Sequence, residues 1–234
     1  MRKIGMITIG QSPREDIISV MRNHFTQQVE ILQRGALDDL DPPTVAELRP
    51  KPGQPTLVTR MRDGTEVKVT HEAVLPLMQK GIDALEEAGA EIIVLLCTGG
   101  FPELQSERML LRPGRLLHGV ITALVDGARL GVVMPSASQV PSPEERREER
   151  WGASDVVITS ASPYAEPEIR TKEWKRAAEE LKGRGVDLVY LGCMGMNEEM
   201  KEIVQQVTQK PVILASSVVA RMVDELIGLG EAIC

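Results

Sequence analysis

Aromatic residues are scarce in this chain of 234 residues: two Trp, two Tyr and two Phe, 3% in all. A surface that stacks nucleic-acid bases needs more of them. Basic residues are outnumbered too, 27 Lys and Arg against 34 Asp and Glu, for a formal net charge of −7. Phosphate backbones call for basic surface, so nucleic acid is not the expected partner. A small-molecule anion remains within reach, because a few local donors override net charge. Three cysteines do not make a disulfide framework in a chain this long. No apolar run approaches the ~20 residues that cross a bilayer, and no signal-peptide h-region opens the chain. A cytoplasmic location with no membrane partner is the expectation. Gly-x-Gly-x-x-Gly and phosphate-loop patterns are missing, and His24, His71 and His118 fall on separate predicted helices without ligand spacing. Neither a cofactor nor a metal is expected.

What the sequence does contain is one sentence written twice. Gly89-Ala-Glu-Ile-Ile-Val-Leu-Leu-Cys97-Thr-Gly-Gly100 aligns without a gap to Gly185-Val-Asp-Leu-Val-Tyr-Leu-Gly-Cys193-Met-Gly-Met196, at a constant offset of 96 residues from Cys97 to Cys193. Residues 92–96 are continuously apolar, as in a strand covered on both faces of a parallel sheet. Each cysteine would sit where its strand's carboxyl end meets a glycine turn, the edge at which open α/β sheets bind ligands. A second repeat supports the first: Leu130-Gly-Val-Val-Met134 resembles Ile4-Gly-Met-Ile-Thr8, offset from Gly5 to Gly131 by 126 residues.

Each half reads β-α-β-α-β-α, an α/β fold of two parallel-sheet lobes. The boundary is drawn at 127/128: an N-terminal lobe over 1–127 and a C-terminal lobe over 128–234, with the last helix a candidate to pack back on the first lobe. The first half carries a surplus at about 35–70, where a proline-rich stretch precedes a hairpin over 57–61 and 66–69 around Arg62-Asp63-Gly64. This insertion is read as a lid or a homodimer surface.

Ser12 and Pro13 read as the N-cap and first position of a helix over 13–24, with amides that suit an anion. A strand is expected at 29–32 and a short helix at 44–48. Thr70 caps a helix to about residue 88, which kinks at Pro76 or starts after it. Residues 108–115 read as a basic loop and 116–127 as a helix. Later come a charged helix at 143–151, a strand at 156–159 and a helix from 169 or 171 to 184. Asn197 caps a helix, a strand covers 211–214, and Ser216 or Ser217 caps a last helix to about 229. Cys234 is expected to fray.

Two cysteines at equivalent strand tips suggest a shared task. A thiolate is a good base and nucleophile, and a thiol a good acid. A pair on opposite faces of one carbon can remove a proton from one side and return it on the other, without a cofactor. The thiolate needs support, because a free cysteine has a pKa of ~8.5. Thr98, Gly99 and Gly100, and Gly195, allow backbone amides to approach. The competing reading is two buried core thiols, since cysteine is among the most buried residue types.

The segments Ile4-Gly-Met-Ile-Thr-Ile-Gly-Gln-Ser-Pro-Arg14, Leu95-Leu-Cys-Thr98, Arg112-Pro-Gly-Arg115, Leu130-Gly-Val-Val-Met-Pro135 and Gly192-Cys-Met-Gly195 resemble the AroM family. AroM proteins are similar to the aspartate/glutamate racemase superfamily. That resemblance implies two flavodoxin-like lobes related by a pseudo-twofold axis, with a site between them. It also implies cofactor-independent chemistry of the kind run by amino-acid racemases, hydantoin racemase, maleate isomerase and arylmalonate decarboxylase. Both cysteines match the racemase motifs. The residues after them differ: Thr98-Gly99 stands where the racemase pattern has Asn-Thr, and Met194 where it has a carboxylate-binding Thr. Gln11-Ser12 replaces an Asp-Ser pair, and Ser136 or Ser138 takes the place of a Thr or Ser in the second lobe.

The expectation is therefore a racemase-like or isomerase-like protein for a small carboxylate or carbonyl compound. Cys97 and Cys193 would be the acid/base or nucleophile pair. Gln11, Ser12, Arg14, Thr98, Gly99, Ser136, Ser138, Met194 and Gly195 would shape and bind. The alternatives are a non-catalytic ligand-binding protein and a single-cysteine enzyme of the decarboxylase type.

Overall fold

The two apolar runs that end in cysteine are equivalent interior strands of two separate parallel sheets. The computed structural model describes residues 1–51, 53–141, 153 and 155–228. The chain divides into two compact units: Met1–Gly114 with the stretch that begins at Val219, and Arg115–Val218. The helix expected at 143–151 and Cys234 lie outside the described residues.

The first unit begins with β1 (Arg2–Thr8), α1 (Glu15–Arg22), β2 (Val29–Gly35) and α2 (Pro42–Glu47). The antiparallel hairpin β3 (Leu57–Arg60) and β4 (Glu66–Val69) is followed by α3 (His71–Glu87), β5 (Ile92–Leu95) and β6 (Met109–Leu111); α4 (Pro113–Leu124) starts at the end of this unit and runs into the second. The parallel strands run in the order β2-β1-β5-β6. Residues 4–8 of β1 and all of β5 are buried without alternation, as strands covered on both faces must be. The core gathers Ile7, Leu37, Val69, Val74, Met78, Ile82, Ile93 and Phe101.

The second unit holds β7 (Leu130–Met134), a 3₁₀ turn at Ala137–Gln139, β8 (Val156–Ser160), α5 (Pro167–Gly183), β9 (Leu188–Leu191), α6 (Glu198–Thr208), β10 (Val212–Leu214) and the start of α7 (Ala215–Ile227). Its sheet runs β8-β7-β9-β10. With the hairpin set aside, both sheets have the flavodoxin-like order 2-1-3-4.

The sequence repeat reappears as repeated bonds. Leu96 N donates to Ile7 O at 2.7 Å, and Gly192 N to Val133 O at 3.0 Å. The acids that open the repeat have one job: Glu91 accepts from Lys3 N at 3.2 Å, and Asp187 from Arg129 N at 3.0 Å, so each pins the start of its first strand. Gly5 and Gly131 let helices press on those strands. A Cβ at Gly5 would stand 3.2 Å from Leu85, and one at Gly131 would stand 3.1 Å from Leu181. Gly89 and Gly185 turn the chain out of α3 and α5 at φ +88° and +67°, where a side chain is strained.

Several local expectations change. Ser12 caps no helix: α1 starts at Glu15 with Arg14 at the cap, the Ser12–Pro13 peptide bond is cis, and the Ser12 hydroxyl bonds Asp38 instead. β2 extends to Gly35, and α2 starts at Pro42 because Asp41 caps it through Thr44 N. α3 begins at His71 and runs through Pro76. The stretch read as a basic loop contains β6, and α4 opens at Pro113 rather than 116. Three apolar residues suffice for β6 because it pairs with β5 along Ile92–Met109 to Val94–Leu111. Ser216 and Ser217 lie inside α7; their hydroxyls donate to Met196 O and Leu214 O.

Candidate active site

In each sheet the chain leaves the first strand to one side and returns on the other. This makes a topological switch point between β1 and β5, and another between β7 and β9. Loops at the carboxyl ends of such strands are where open α/β sheets bind ligands. The candidate residues fall there: Gln11, Ser12 and Arg14 after β1, Cys97, Thr98 and Gly99 after β5, Ser136 and Ser138 after β7, and Cys193, Met194 and Gly195 after β9.

The two cysteines sit in matching turns. Both side chains are half-buried thiols. Gly99 N donates to Cys97 Sγ at 3.2 Å, and Gly195 N to Cys193 Sγ at 3.4 Å. A backbone N–H aimed at sulfur favours the thiolate over the thiol. Each glycine also carries an aromatic neighbour. A Cβ on Gly99 would lie 3.5 Å from both Phe101 and Leu57, and one on Gly195 would run into the Tyr164 hydroxyl. The two turns thus share a backbone design but differ in what borders them.

The loop after Cys97 is stitched to α3. The His71 ring stacks on Phe101 at 4.7 Å, and its Nε2 lies 3.1 Å from Gly100 O. Gln79 bonds both backbone groups of Gln105, and Glu86 accepts from Ser106 Oγ and Glu107 N. The Ser106 hydroxyl is the main reason the Glu86 carboxyl lies below its usual pKa. On the other side, Arg112 Nη2 donates to Leu104 O, and Gly114 gives α4 room against the Thr98 carbonyl.

After β1 the expected anion cradle is filled by the chain itself. The Asp38 carboxylate accepts from Ser12 N and Ser12 Oγ at 2.7 Å each, from Gly35 N at 2.8 Å and from Arg62 Nη2 at 3.3 Å. Gln11 Nε2 donates to Leu37 O, while its Oε1 accepts from Arg62 N. Arg62 Nε donates to Ser12 O and Gln11 N to Arg60 O, so the inserted hairpin is pinned onto this loop. The sequence shows no acid beside Ser12; Asp38 supplies one from the loop after β2.

Arg14 turns inward and is 3% exposed. Its Nε and Nη2 meet the two Asp16 oxygens at 2.8 Å, and Nη1 donates to Thr8 Oγ1 at 3.2 Å. Burial pushes the Asp16 carboxyl up, but the Arg14 bonds and the Arg14 and Arg60 charges outweigh it, and its pKa lies below the ordinary value. In the second unit Ser136 Oγ lies 3.0 Å from Ser138 Oγ and accepts from Ser138 N. Met194 is 1% exposed and belongs to the core beneath its turn. Among the described residues no group of three or more His, Cys, Asp or Glu could hold a metal ion. No helix there is long and apolar enough to cross a membrane.

The AroM protein family model matches residues 4–227. The chain belongs to the AroM family. No curated protein matches it. Among solved structures, this AroM chain is similar to allantoin racemase from Klebsiella pneumoniae, with 18% identity, a TM-score of 0.65, and coverage of 100% of this chain and 91% of that one. The Picrophilus torridus aspartate racemase is 15% identical at a TM-score of 0.57, with 97% and 95% covered. Glutamate racemase from Aquifex pyrophilus is 18% identical at 0.57, with 96% and 83% covered. At these identities the likeness shows that the AroM chain has the racemase fold.

Proposed function

We propose that this AroM-family protein is a cofactor-independent isomerase of the racemase type, acting on a small carboxylate or carbonyl compound. Cys97 and Cys193 are its acid/base pair. The observation that carries this reading is the repeated turn: a buried strand, a cysteine at its carboxyl end, and the amide two residues on donating to sulfur. The racemase fold of the solved relatives supports it.

In the reaction, one thiolate takes the proton α to the carbonyl. The C–H bond breaks, an S–H bond forms, and the electron pair moves onto the carbonyl oxygen as an enolate. The other thiol then gives its proton to the opposite face of that carbon and becomes the thiolate. One C–H bond is lost and one gained, with no net redox change. Thr98, Ser136 and Ser138 are the side chains assigned to the substrate's oxygens. Gln11, Ser12 and Arg14 fix the β1 loop; Gly99 and Gly195 supply amides to the sulfurs, with Met194 packed below.

The test is exchange of substrate α-hydrogen for deuterium in D₂O, followed by NMR over a panel of small 2-substituted carboxylates. Exchange by the wild type, lost in both Cys97→Ala and Cys193→Ala, supports two-sided transfer. Binding without exchange across the panel overturns it in favour of a ligand-binding protein on this scaffold. The unlike surroundings of the turns, Leu57 and Phe101 against Tyr164, favour a second reading in which one cysteine alone delivers the proton, as in a decarboxylation. Only one of the two alanine variants would then abolish turnover.

A further inference from the structure

The chain has only two tyrosines, and both border the turn of the second cysteine. Tyr190 belongs to β9, and its ring would stand 3.3 Å from a Cβ at Gly192. Tyr164 comes from the loop after β8. Its hydroxyl lies so close to Gly195 that no side chain fits there, and Gly195 is buried. The same glycine supplies the N–H that points at Cys193 Sγ.

The loop that presents Tyr164 is built to hold still. Tyr164 N donates to Ser162 Oγ at 3.1 Å, and Ser162 N to Glu173 Oε2 at 3.2 Å. The buried Trp174 donates its indole N–H to Ser162 O at 3.2 Å, and Arg176 Nη2 donates to Ser160 O at 2.6 Å. Three side chains of α5 therefore anchor Ser160 and Ser162, and Tyr164 is tied to this anchored stretch through Ser162. A phenol fixed in this way against a glycine limits how that peptide can rotate. An N–H···S bond is directional, so a rotated peptide weakens it.

We propose that Tyr164 is a positioning residue for Cys193: its hydroxyl, seated against Gly195, holds the turn so that the Gly195 N–H points at the sulfur. The inference rests on the reading of Cys193 as an active-site thiol. It adds that the two thiols are tuned differently, since the first turn has an apolar ring, Phe101, at the corresponding glycine. Tyr164→Phe removes the seat while keeping the ring, and the Cys193 thiolate loses part of its support.

The experiment needs no substrate. The full-length protein is alkylated with iodoacetamide from about pH 6 to about pH 10, and each cysteine is followed separately by mass spectrometry. Cys97 serves as an internal reference in the other unit. In Tyr164→Phe the pH midpoint for Cys193 should rise by about 0.5 to 1, with alkylation at pH 7 about three- to tenfold slower and Cys97 unmoved. Gly195→Ala, which drives a methyl group toward the phenol, should move Cys193 in the same direction. A Cys193 profile in Tyr164→Phe that overlays the wild type overturns the proposal. A shift shared by both cysteines also overturns it, because it reports a general loosening. If Cys193 of the wild type resists alkylation at every pH, the active-site reading itself fails, a different result from either of these.

Discussion

The backbone amide of Gly99 donates to the sulfur of Cys97 across 3.2 Å, from only two residues along the chain. The glycine leaves room beside the sulfur. A Cβ there would stand 3.3 Å from the same sulfur and 3.5 Å from Leu57 and Phe101, closer to the sulfur than most real contacts. Gly99→Ala should therefore crowd the thiol and slow alkylation of Cys97 about two- to fivefold at pH 7, in line with a partial loss of its N–H donor. Cys193 should not respond. Site-resolved mass spectrometry after a short pulse of iodoacetamide measures both at once, and equal rates in variant and wild type would remove Gly99 from the argument.

Asp38 gathers four donors from three segments: Ser12, Gly35 and the hairpin residue Arg62. Asp38→Ala leaves two backbone amides and a hydroxyl without their acceptor, in a place where the Asp38 side chain is only 11% exposed. Losing buried partners of this kind costs about 2–4 kcal/mol in total. Arg62→Ala should cost less than about 1 kcal/mol, since that side chain is 55% exposed and its ion pair is screened. Urea unfolding gives both values. In Asp38→Ala, trypsin should also cut faster after Arg60 and Arg62, because the hairpin loses one of its anchors.

The helix contacts at Gly5 and Gly131 make a symmetric prediction. Alanine at either position puts a methyl group 3.1 Å from a neighbouring core carbon: Ala90 for Gly5, and Leu181 for Gly131. The strands are buried on both faces, so the neighbouring core side chains must shift to make room. Each variant should lose about 1–3 kcal/mol by thermal or urea unfolding. A neutral result at one site and a costly one at the other would show that the two units do not share this packing.

The repeat was legible because it is written in local terms. Ile92, Ile93, Val94 and Leu95 form an unbroken apolar run behind Gly89, and Leu188 to Leu191 do the same behind Gly185. Burial on both faces and a glycine turn follow from such runs without knowledge of partners. The hairpin, with Asp63-Gly64 at its tip, was readable for the same reason. β6 was not, because Met109–Leu111 is a strand only by virtue of pairing with β5. Ser12 has the chemistry of a cap, and the prediction failed because Asp38, 26 residues away, competes for its hydroxyl. Tyr164 lies in a loop with no periodicity; the scarcity of tyrosine was the one available signal.

Asp16 carries the pH prediction. Burial alone would raise its pKa, but the hydrogen bonds from Arg14 and the charges of Arg14 and Arg60 bring it below 3.8. A carboxylate with a lowered folded-state pKa binds protons more readily in the unfolded chain. Its contribution is therefore complete above the ordinary value of 3.8 and disappears as pH falls through the lower folded value. Asp16→Asn removes that dependence and leaves Arg14, 3% exposed, without its counter-charge. Breaking a buried pair from one side costs roughly 3 kcal/mol. At pH 7 the variant should be less stable than the wild type by about that amount, and the gap should narrow as pH drops below 3.8. Urea unfolding at a series of pH values, with wild type and variant side by side, reads both features. A gap that stays constant into the acid range would mean that the Asp16 charge contributes nothing beyond its packing.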